Sequence, residues 1–198
     1  MDFRVTPGTP LGTALRRYWT PVCMSSDVAQ TDCDPIRVWV LGQSFVVFRD
    51  SEGRVGLLDE ACPHRKASLV FGRNEQGGIR CLWHAWKMDK NGNLMEVPNH
   101  PDCNFQKRVK ANAYEVIESG GLVWGYFGPP EEKPDFPHLS WSTLPPENVL
   151  IVPVDFDCNF VKALEGLVDS SHVSLLHSDT VRKMSGSSNV DFRVMGAD

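Results

Sequence analysis

The 198-residue sequence lacks any apolar run of about 18 residues, the length needed to cross a membrane. Its first residues also lack the apolar core of a secretion signal, and we therefore expect a cytoplasmic protein. Basic residues are not in excess, because 20 Lys and Arg stand against 25 Asp and Glu. A net charge of −5 argues against nucleic acid as a ligand, since phosphate binding requires clustered positive charge.

Cysteine is scarce. The six cysteines are too few for a disulfide scaffold, and in a reducing compartment they favour metal binding or ordinary buried thiols. Disorder is excluded, because 41% of the residues are hydrophobic and the 14 prolines and 16 glycines are scattered. The sequence therefore predicts a globular protein with one large domain or two small ones.

Short β-rich runs separated by glycine-containing turns dominate the first two thirds of the chain. They follow a short helix predicted over residues 11–19, and they indicate an antiparallel sandwich or barrel. The predicted strands are residues 36–41, 44–49, 55–58, 114–117 and 122–127.

A proline-rich, acidic run begins near residue 128 and disfavours strands, so we expect a linker there. One more strand over 149–156 and a helix over 159–176 are predicted after it. The expected organisation is an N-terminal helical segment (1–35), a β domain (36–128), a linker (129–148) and the start of a second domain (149–198).

Two Cys–His pairs form the first chemical motif. Cys62 and His64 stand two residues apart, and Cys81 and His84 stand three apart, with 16 residues between His64 and Cys81. Residues two apart in extended chain project to the same side, so Cys62 and His64 can face one metal centre. In the second loop, the three-residue step and the upstream Gly77-Gly78 allow Cys81 and His84 a similar convergence. Two thiolates and two imidazoles suit either a tetrahedral zinc ion or a [2Fe-2S] cluster. The iron–sulfur interpretation is favoured, because zinc sites usually present Cys-x2-4-Cys knuckles with the histidines later.

A second group of ionisable residues lies in the predicted helix after the linker. Glu165, Asp169 and His172 would share one face of a continuous helix, at steps of four and three residues. His177 follows five residues after His172, so both could bind one metal only if the helix ends, unwinds or bulges between them. The alternative interpretation is an amphipathic helix with its polar residues in solvent.

The sequence around the first motif resembles the Rieske domain of aromatic-ring oxygenase large subunits. The resemblance is carried by LLDEACPHRKASLVFGRN and GGIRCLWHAWKMDKNGN, and the N-terminal LGTALRRYWTPVCMSSDV is most similar to the phthalate dioxygenase-like group. It implies an α+β fold in which a mainly antiparallel β Rieske domain precedes the beginning of a helix-grip-like catalytic domain. It also implies that Cys62 and Cys81 hold the inner iron of the cluster, and that His64 and His84 hold the outer iron.

The resemblance extends to the second group through the pattern D-x2-H-x4-H. It implies that His172 and His177 are ligands of a mononuclear non-haem Fe(II) that uses O₂, and that Asp169 passes electrons to this iron. The electrons would come through His84 of a neighbouring subunit, in a trimer or a multiple of trimers. An NAD(P)H-dependent flavin and iron–sulfur reductase would supply them, for dihydroxylation, monohydroxylation or O-demethylation of an aromatic acid or ether.

Two features depart from the family pattern. Lys66 and Ala85 stand where many members carry glycine, next to the cluster ligands. The carboxylate ligand that members supply far downstream is not identified, because only Asp179, Asp191 and Asp198 follow His177. We therefore expect an N-terminal part of a longer protein. The alternatives are a Rieske ferredoxin-type electron carrier and a zinc-stabilised binding module.

Overall fold

The computed structural model describes residues 3–100, 103–169, 171–177 and 179. The chain divides into two compact units, the first ending at Ile151 and the second beginning at Val152. No helix among these described residues is long and apolar enough to span a membrane.

The described part of the first unit is mainly antiparallel β-structure. Its strands are β1 (Thr20–Met24), β2 (Ile36–Val40), β3 (Gln43–Arg49), β4 (Val55–Asp59), β5 (Arg73–Glu75), β6 (Gly78–Arg80), β7 (Lys87–Met88), β8 (Leu94–Glu96), β9 (Glu115–Ser119) and β10 (Leu122–Tyr126). Its helices are α1 (Pro10–Leu15) and α2 (Cys103–Arg108), with 3₁₀ turns at Ser25–Val28, Leu69–Phe71, Pro130–Glu132, Ser140–Thr143 and Pro146–Asn148.

These strands form three sheets with the orders β1-β10-β9, β2-β3-β4 and β5-β6-β7-β8. The predicted hairpin of 36–41 and 44–49 is confirmed as β2 and β3, whose turn places Leu41 and Gly42 at positive φ. The α+β fold class, with a mainly antiparallel first domain, is also confirmed for the described residues.

Strand β3 is the middle strand of the β2-β3-β4 sheet and is buried on both faces. Because side chains alternate along a strand, Val46 and Phe48 enter one core while Phe45 and Val47 enter another. The first of these cores contains the two cysteines of the Cys–His motif. Burial of β3 thus fixes the sheet that supports the motif.

The N-terminal segment is less helical than expected. Helix α1 ends at Leu15 instead of extending to residue 19, and β1 begins at Thr20 and pairs with β10. Trp19 is buried against Tyr126 and Phe136, and its indole Nε1 donates to the carbonyl of Pro134 at 3.0 Å. The burial of this large indole outweighs the helical preference of the segment.

The strand predicted over residues 149–156 is wrong. The structure has no strand there, and Leu150, Val152, Val154 and Phe156 are exposed. An isolated extended segment gains no ladder hydrogen bonds, and Pro153 has no N–H to donate. The β-rich composition alone therefore does not produce a strand here.

The single helix predicted over 159–176 is also wrong, because two helices replace it. They are α3 (Phe160–Val168), capped by the Asn159 side chain, and α4 (Ser171–Leu176). Asp169 has extended backbone angles, and its carboxylate accepts hydrogen bonds from the backbone N–H (2.9 Å) and hydroxyl (2.6 Å) of Ser171. Such local bonds compete with the helical ladder, so Glu165, Asp169 and His172 do not share one continuous helical face.

Candidate metal centre

The two Cys–His loops have the same backbone plan. In the first, the N–H of Cys62 donates to the carbonyl of Ala67, and the N–H of Lys66 donates to the carbonyl of Cys62, both at 2.9 Å. In the second, the N–H of Cys81 donates to the carbonyl of Trp86 at 2.8 Å, and the N–H of Ala85 donates to Cys81 at 3.1 Å. Each cysteine is therefore held through both of its backbone polar groups.

The residue four positions after each cysteine adopts a left-handed conformation. Lys66 has a φ of 60° and Ala85 a φ of 58°. Glycine adopts such angles without the steric cost that a side chain brings. The two departures from the family pattern thus occupy equivalent positions in the two loops, and they keep the turn that glycine would form.

The two loops bring all four predicted cluster residues together. Cys62 and Cys81 are both buried in the same core, while the rings of His64 and His84 lie 4.5 Å apart at 79°. Burial, together with the neighbouring Cys81, raises the pKa of Cys62 to about 11, although the N–H of His64 opposes the shift. The Cys62 thiol therefore stays protonated unless a metal replaces its proton.

The imidazole of His64 provides the test of whether a metal group fits. Its Nδ1 atom is buried and has no hydrogen-bond partner, which is costly for a polar nitrogen. Burial, with smaller contributions from His84 and Arg65, lowers the pKa of His64 and favours the neutral ring that a metal binds. A buried free nitrogen beside two buried thiols fits a thiolate- and imidazole-ligated cluster.

An aromatic array holds this imidazole. Trp86 stacks on His64 with ring centroids 4.4 Å apart, and the indole Nε1 donates to Asn99 Oδ1 at 2.7 Å. Phe105 packs edge-on against Trp86, with ring centroids 5.5 Å apart. On the outer side of the loops, Leu82 and Trp83 are exposed.

The second group of predicted ligands lies in the second unit. His172 lies within α4, and His177 follows the end of that helix at Leu176, so the helix ends between them. Their rings are 5.5 Å apart at 73°, and His172 Nδ1 lies 3.5 Å from the Asp169 carboxylate. Hydrogen bonds from Ser171, and secondarily the charge of His172, lower the pKa of Asp169.

The described residues show no third ligand for this second group. Asp179 is exposed, and Asp191 and Asp198 lie outside the described residues. Among the residues that the structure describes, no group of three or more His, Cys, Asp or Glu side chains converges closely enough to hold one metal ion. A cluster of two irons does not require such a group, since each iron takes two protein ligands.

Each of the two groups of predicted ligands falls within a match to a known protein family. Residues 18–114 match the Rieske [2Fe-2S] domain, and residues 125–191 match the family described as LigXa C-terminal domain like. The chain is 46% identical over 176 residues to the phthalate 4,5-dioxygenase oxygenase subunit of Pseudomonas putida, covering 88% of this chain and 40% of that protein. It belongs to the Rieske oxygenase family.

A further relative and a solved structure also match most of this chain. The tert-butanol monooxygenase / tert-amyl alcohol desaturase oxygenase subunit of Aquincola tertiaricarbonis is 40% identical over 89% of this chain and 37% of its own length. The QL mutant of NdmA from Pseudomonas putida CBB5, solved with theobromine, has the same fold, with a TM-score of 0.69 and 24% identity over 83% of this chain and 50% of that one. The chain spans about 40% of the length of the curated relatives.

An ionic network under the second loop of this Rieske domain was not anticipated from the sequence. Arg80 on β6 and Lys87 on β7 flank the loop, and their side chains are 11% and 3% exposed. Arg80 contacts Glu75 and Glu96, and Lys87 contacts Glu96. The sequence gives little sign of this network, because β6, β7 and β8 each carry one charged residue, a pattern that is also typical of solvated surfaces.

Proposed function

We propose that this chain supplies the cluster domain and the first part of the catalytic domain of a terminal oxygenase component. The proposed divisions are the helical segment 1–35, the Rieske domain 36–128, the linker 129–148 and the catalytic segment from 149. The proposed activity is hydroxylation or O-demethylation of an aromatic compound, with an aromatic acid as the substrate class. The relative at 46% identity supports this substrate class, because phthalate is an aromatic dicarboxylate.

In this proposal Cys62 and Cys81 hold the inner iron of the [2Fe-2S] cluster, and His64 and His84 hold the outer iron. The cluster, when bound, supplies one-electron transfer. The chain contributes two loops whose backbone bonds fix the cysteines, and an indole stack that orients His64. The exposed Leu82 and Trp83 leave the histidine side of the loops accessible to a redox partner.

His172 and His177 would provide two of the three protein ligands of a mononuclear Fe(II), with a carboxylate as the third. That metal, when bound, supplies activation of O₂. The end of α4 at Leu176 allows the two imidazoles to approach one another, as a shared metal requires. A set of two histidines and one carboxylate leaves coordination positions free for co-substrate.

Asp169 is the proposed bridge for electrons arriving from His84 of a neighbouring subunit. Its carboxylate is oriented by the N–H and hydroxyl of Ser171, and it already approaches His172 Nδ1 at 3.5 Å. Its lowered pKa keeps it ionised and able to accept hydrogen bonds from imidazole. The proposed assembly is a trimer or multiple of trimers in the cytoplasm, served by an NAD(P)H-dependent flavin and iron–sulfur reductase.

The observation that carries this proposal is the second family match, which includes Asp169, His172 and His177. This match follows, along the chain, a Rieske match that contains all four predicted cluster ligands. The test is the iron, zinc and acid-labile sulfide content of anaerobically purified protein. A third iron that is lost in His172→Ala supports the oxygenase. Two irons and two sulfides with no third iron in any preparation would favour an electron carrier, and zinc without sulfide would refute both.

A further inference from the structure

Two buried cations flank the second ligand loop. Arg80 comes directly before Cys81, and Lys87 comes directly after Trp86. The two cations are paired opposite each other in the register of β6 and β7, at the two ends of the loop. Their side chains are almost entirely removed from solvent. A buried cation is costly unless an anion lies against it, so this pair requires compensation.

Glu96 on β8 provides an anion to both cations. Its Oε2 lies 2.8 Å from Arg80 Nη2, and its Oε1 lies 2.6 Å from Lys87 Nζ. The contacts with Lys87 and Arg80 lower the pKa of Glu96, which keeps it ionised. One carboxylate therefore pairs with the cations at both ends of the loop.

The network reaches the ligand loop through Arg80. Its Nη1 donates to the carbonyl of Ala85 at 2.9 Å, and Ala85 is the left-handed residue next to His84. Glu75 holds the same guanidinium from β5, with Oε1 at 2.5 Å from Nε. The position of the Ala85 peptide thus depends on a side chain that Glu75 and Glu96 orient.

We propose that Glu96 is a positioning residue for the cluster, which holds the second loop through Arg80 and balances the positive charge at its base. The inference rests on the cluster ligands assigned under the proposed function, but not on oxygenase activity. Without the Glu96 carboxylate, uncompensated positive charge lies beside the loop. Positive charge stabilises the reduced cluster, which carries one more electron, so the reduction potential rises.

The test compares Glu96→Gln, Lys87→Met and the double variant in the 198-residue chain with its cluster assembled anaerobically. Iron and sulfide content, the reduction potential and the EPR spectrum of the reduced cluster are measured. The expected potentials are higher than the parent in Glu96→Gln, lower in Lys87→Met, and close to the parent in the double variant. Potential shifts of opposite sign in the two single variants, and a parental potential in the double variant, would indicate charge balance. Damage to the loop would not reverse the sign of the shift or restore the potential.

A matched control is Glu118→Gln. Glu118 on β9 forms an ion pair with Arg49 on β3, away from the sheet that holds Glu96. The side chains of Glu118 and Arg49 are 37% and 12% exposed, similar to the 43% and 11% of Glu96 and Arg80. This control should keep the parental potential and EPR spectrum. If Glu96→Gln does not fold, Glu75→Gln on β5 has the same expected sign, since it also removes an anion from Arg80.

An intact cluster with the parental potential in Glu96→Gln would overturn the inference, as would shifts of the same sign in Glu96→Gln and Lys87→Met. Those results leave the proposed cluster ligands untouched. A parent chain without iron and sulfide under any condition would refute the ligand assignment itself, and this inference with it.

Discussion

The indole of Trp86 lies flat on the imidazole of His64, with ring planes 11° apart. Because the Trp86 Nε1 is bound to Asn99 and Phe105 packs edge-on against the indole, the stack has a defined orientation. The buried Nδ1 of His64 is thereby fixed in direction before any metal binds. A ligand that is already oriented loses little conformational entropy on binding, which favours uptake of the cluster.

Removing the acceptor for the indole should weaken this arrangement. We expect Asn99→Ala to cost about 1–3 kcal/mol of stability, because it leaves a buried N–H unpaired. Trp86→Phe removes the indole N–H donor, so no acceptor is needed. In this background, adding Asn99→Ala should therefore lower the free energy of unfolding by less than it does in the parent. Denaturant unfolding of both single variants and the double variant measures the coupling. Fully additive losses would contradict a functional Trp86–Asn99 bond.

Glycine at the left-handed positions of the two loops should stabilise the protein. For Ala85→Gly, relief of about 1–2 kcal/mol of backbone strain is partly offset by about 0.5–1 kcal/mol of entropy, leaving a gain near 0.5–1 kcal/mol. Lys66→Gly should behave alike. Ala67→Gly is the control, because Ala67 is adjacent but not left-handed, and it should lose stability. A loss in all three variants, measured by thermal unfolding, would contradict the strain argument.

The bridging role of Asp169 has a selective test in the assembled oxygenase. Asp169→Asn retains an oxygen that can accept the Ser171 N–H, so both metals should stay bound, whereas product formation per oxidised cluster should fall by at least tenfold. The measurement is single-turnover cluster oxidation followed beside product yield. His172→Ala should instead lose the third iron. Normal coupling in Asp169→Asn would exclude the bridge.

Acid should remove a stabilising contact between Arg37 and Glu60 in the first unit. The hydrogen bond from Arg37, opposed by desolvation, lowers the pKa of Glu60 to about 2. A carboxyl whose folded pKa is depressed stabilises the protein above its unfolded pKa, and the contribution is lost as the pH falls from about 5 to 2. Solvent screening limits the effect to about 1 kcal/mol. Glu60→Gln should therefore show less acid dependence than the parent in denaturant unfolding at several pH values; equal dependence would contradict this assignment.

Some errors in the sequence-based fold have a common cause. The helix predicted to residue 19 and the strand over 149–156 were inferred from composition, which cannot show whether a segment has a partner. Trp19 has one in Tyr126, and Leu150 is exposed. The break at Asp169 had a readable signal, since Asp and Ser two residues apart favour a local side-chain bond over the helical ladder.

The sequence alone was sufficient for the family, the candidate ligands and the central hairpin, because these depend on residue types at short spacing. Only the tertiary structure revealed that Lys66 and Ala85 adopt equivalent left-handed turns, that Trp86 orients His64, and that Glu96 joins two buried cations. Each of these relationships depends on a backbone angle or on residues that other strands bring together. The spacing of residues along the chain does not predict such contacts, because they form only when the strands pack together in the folded protein.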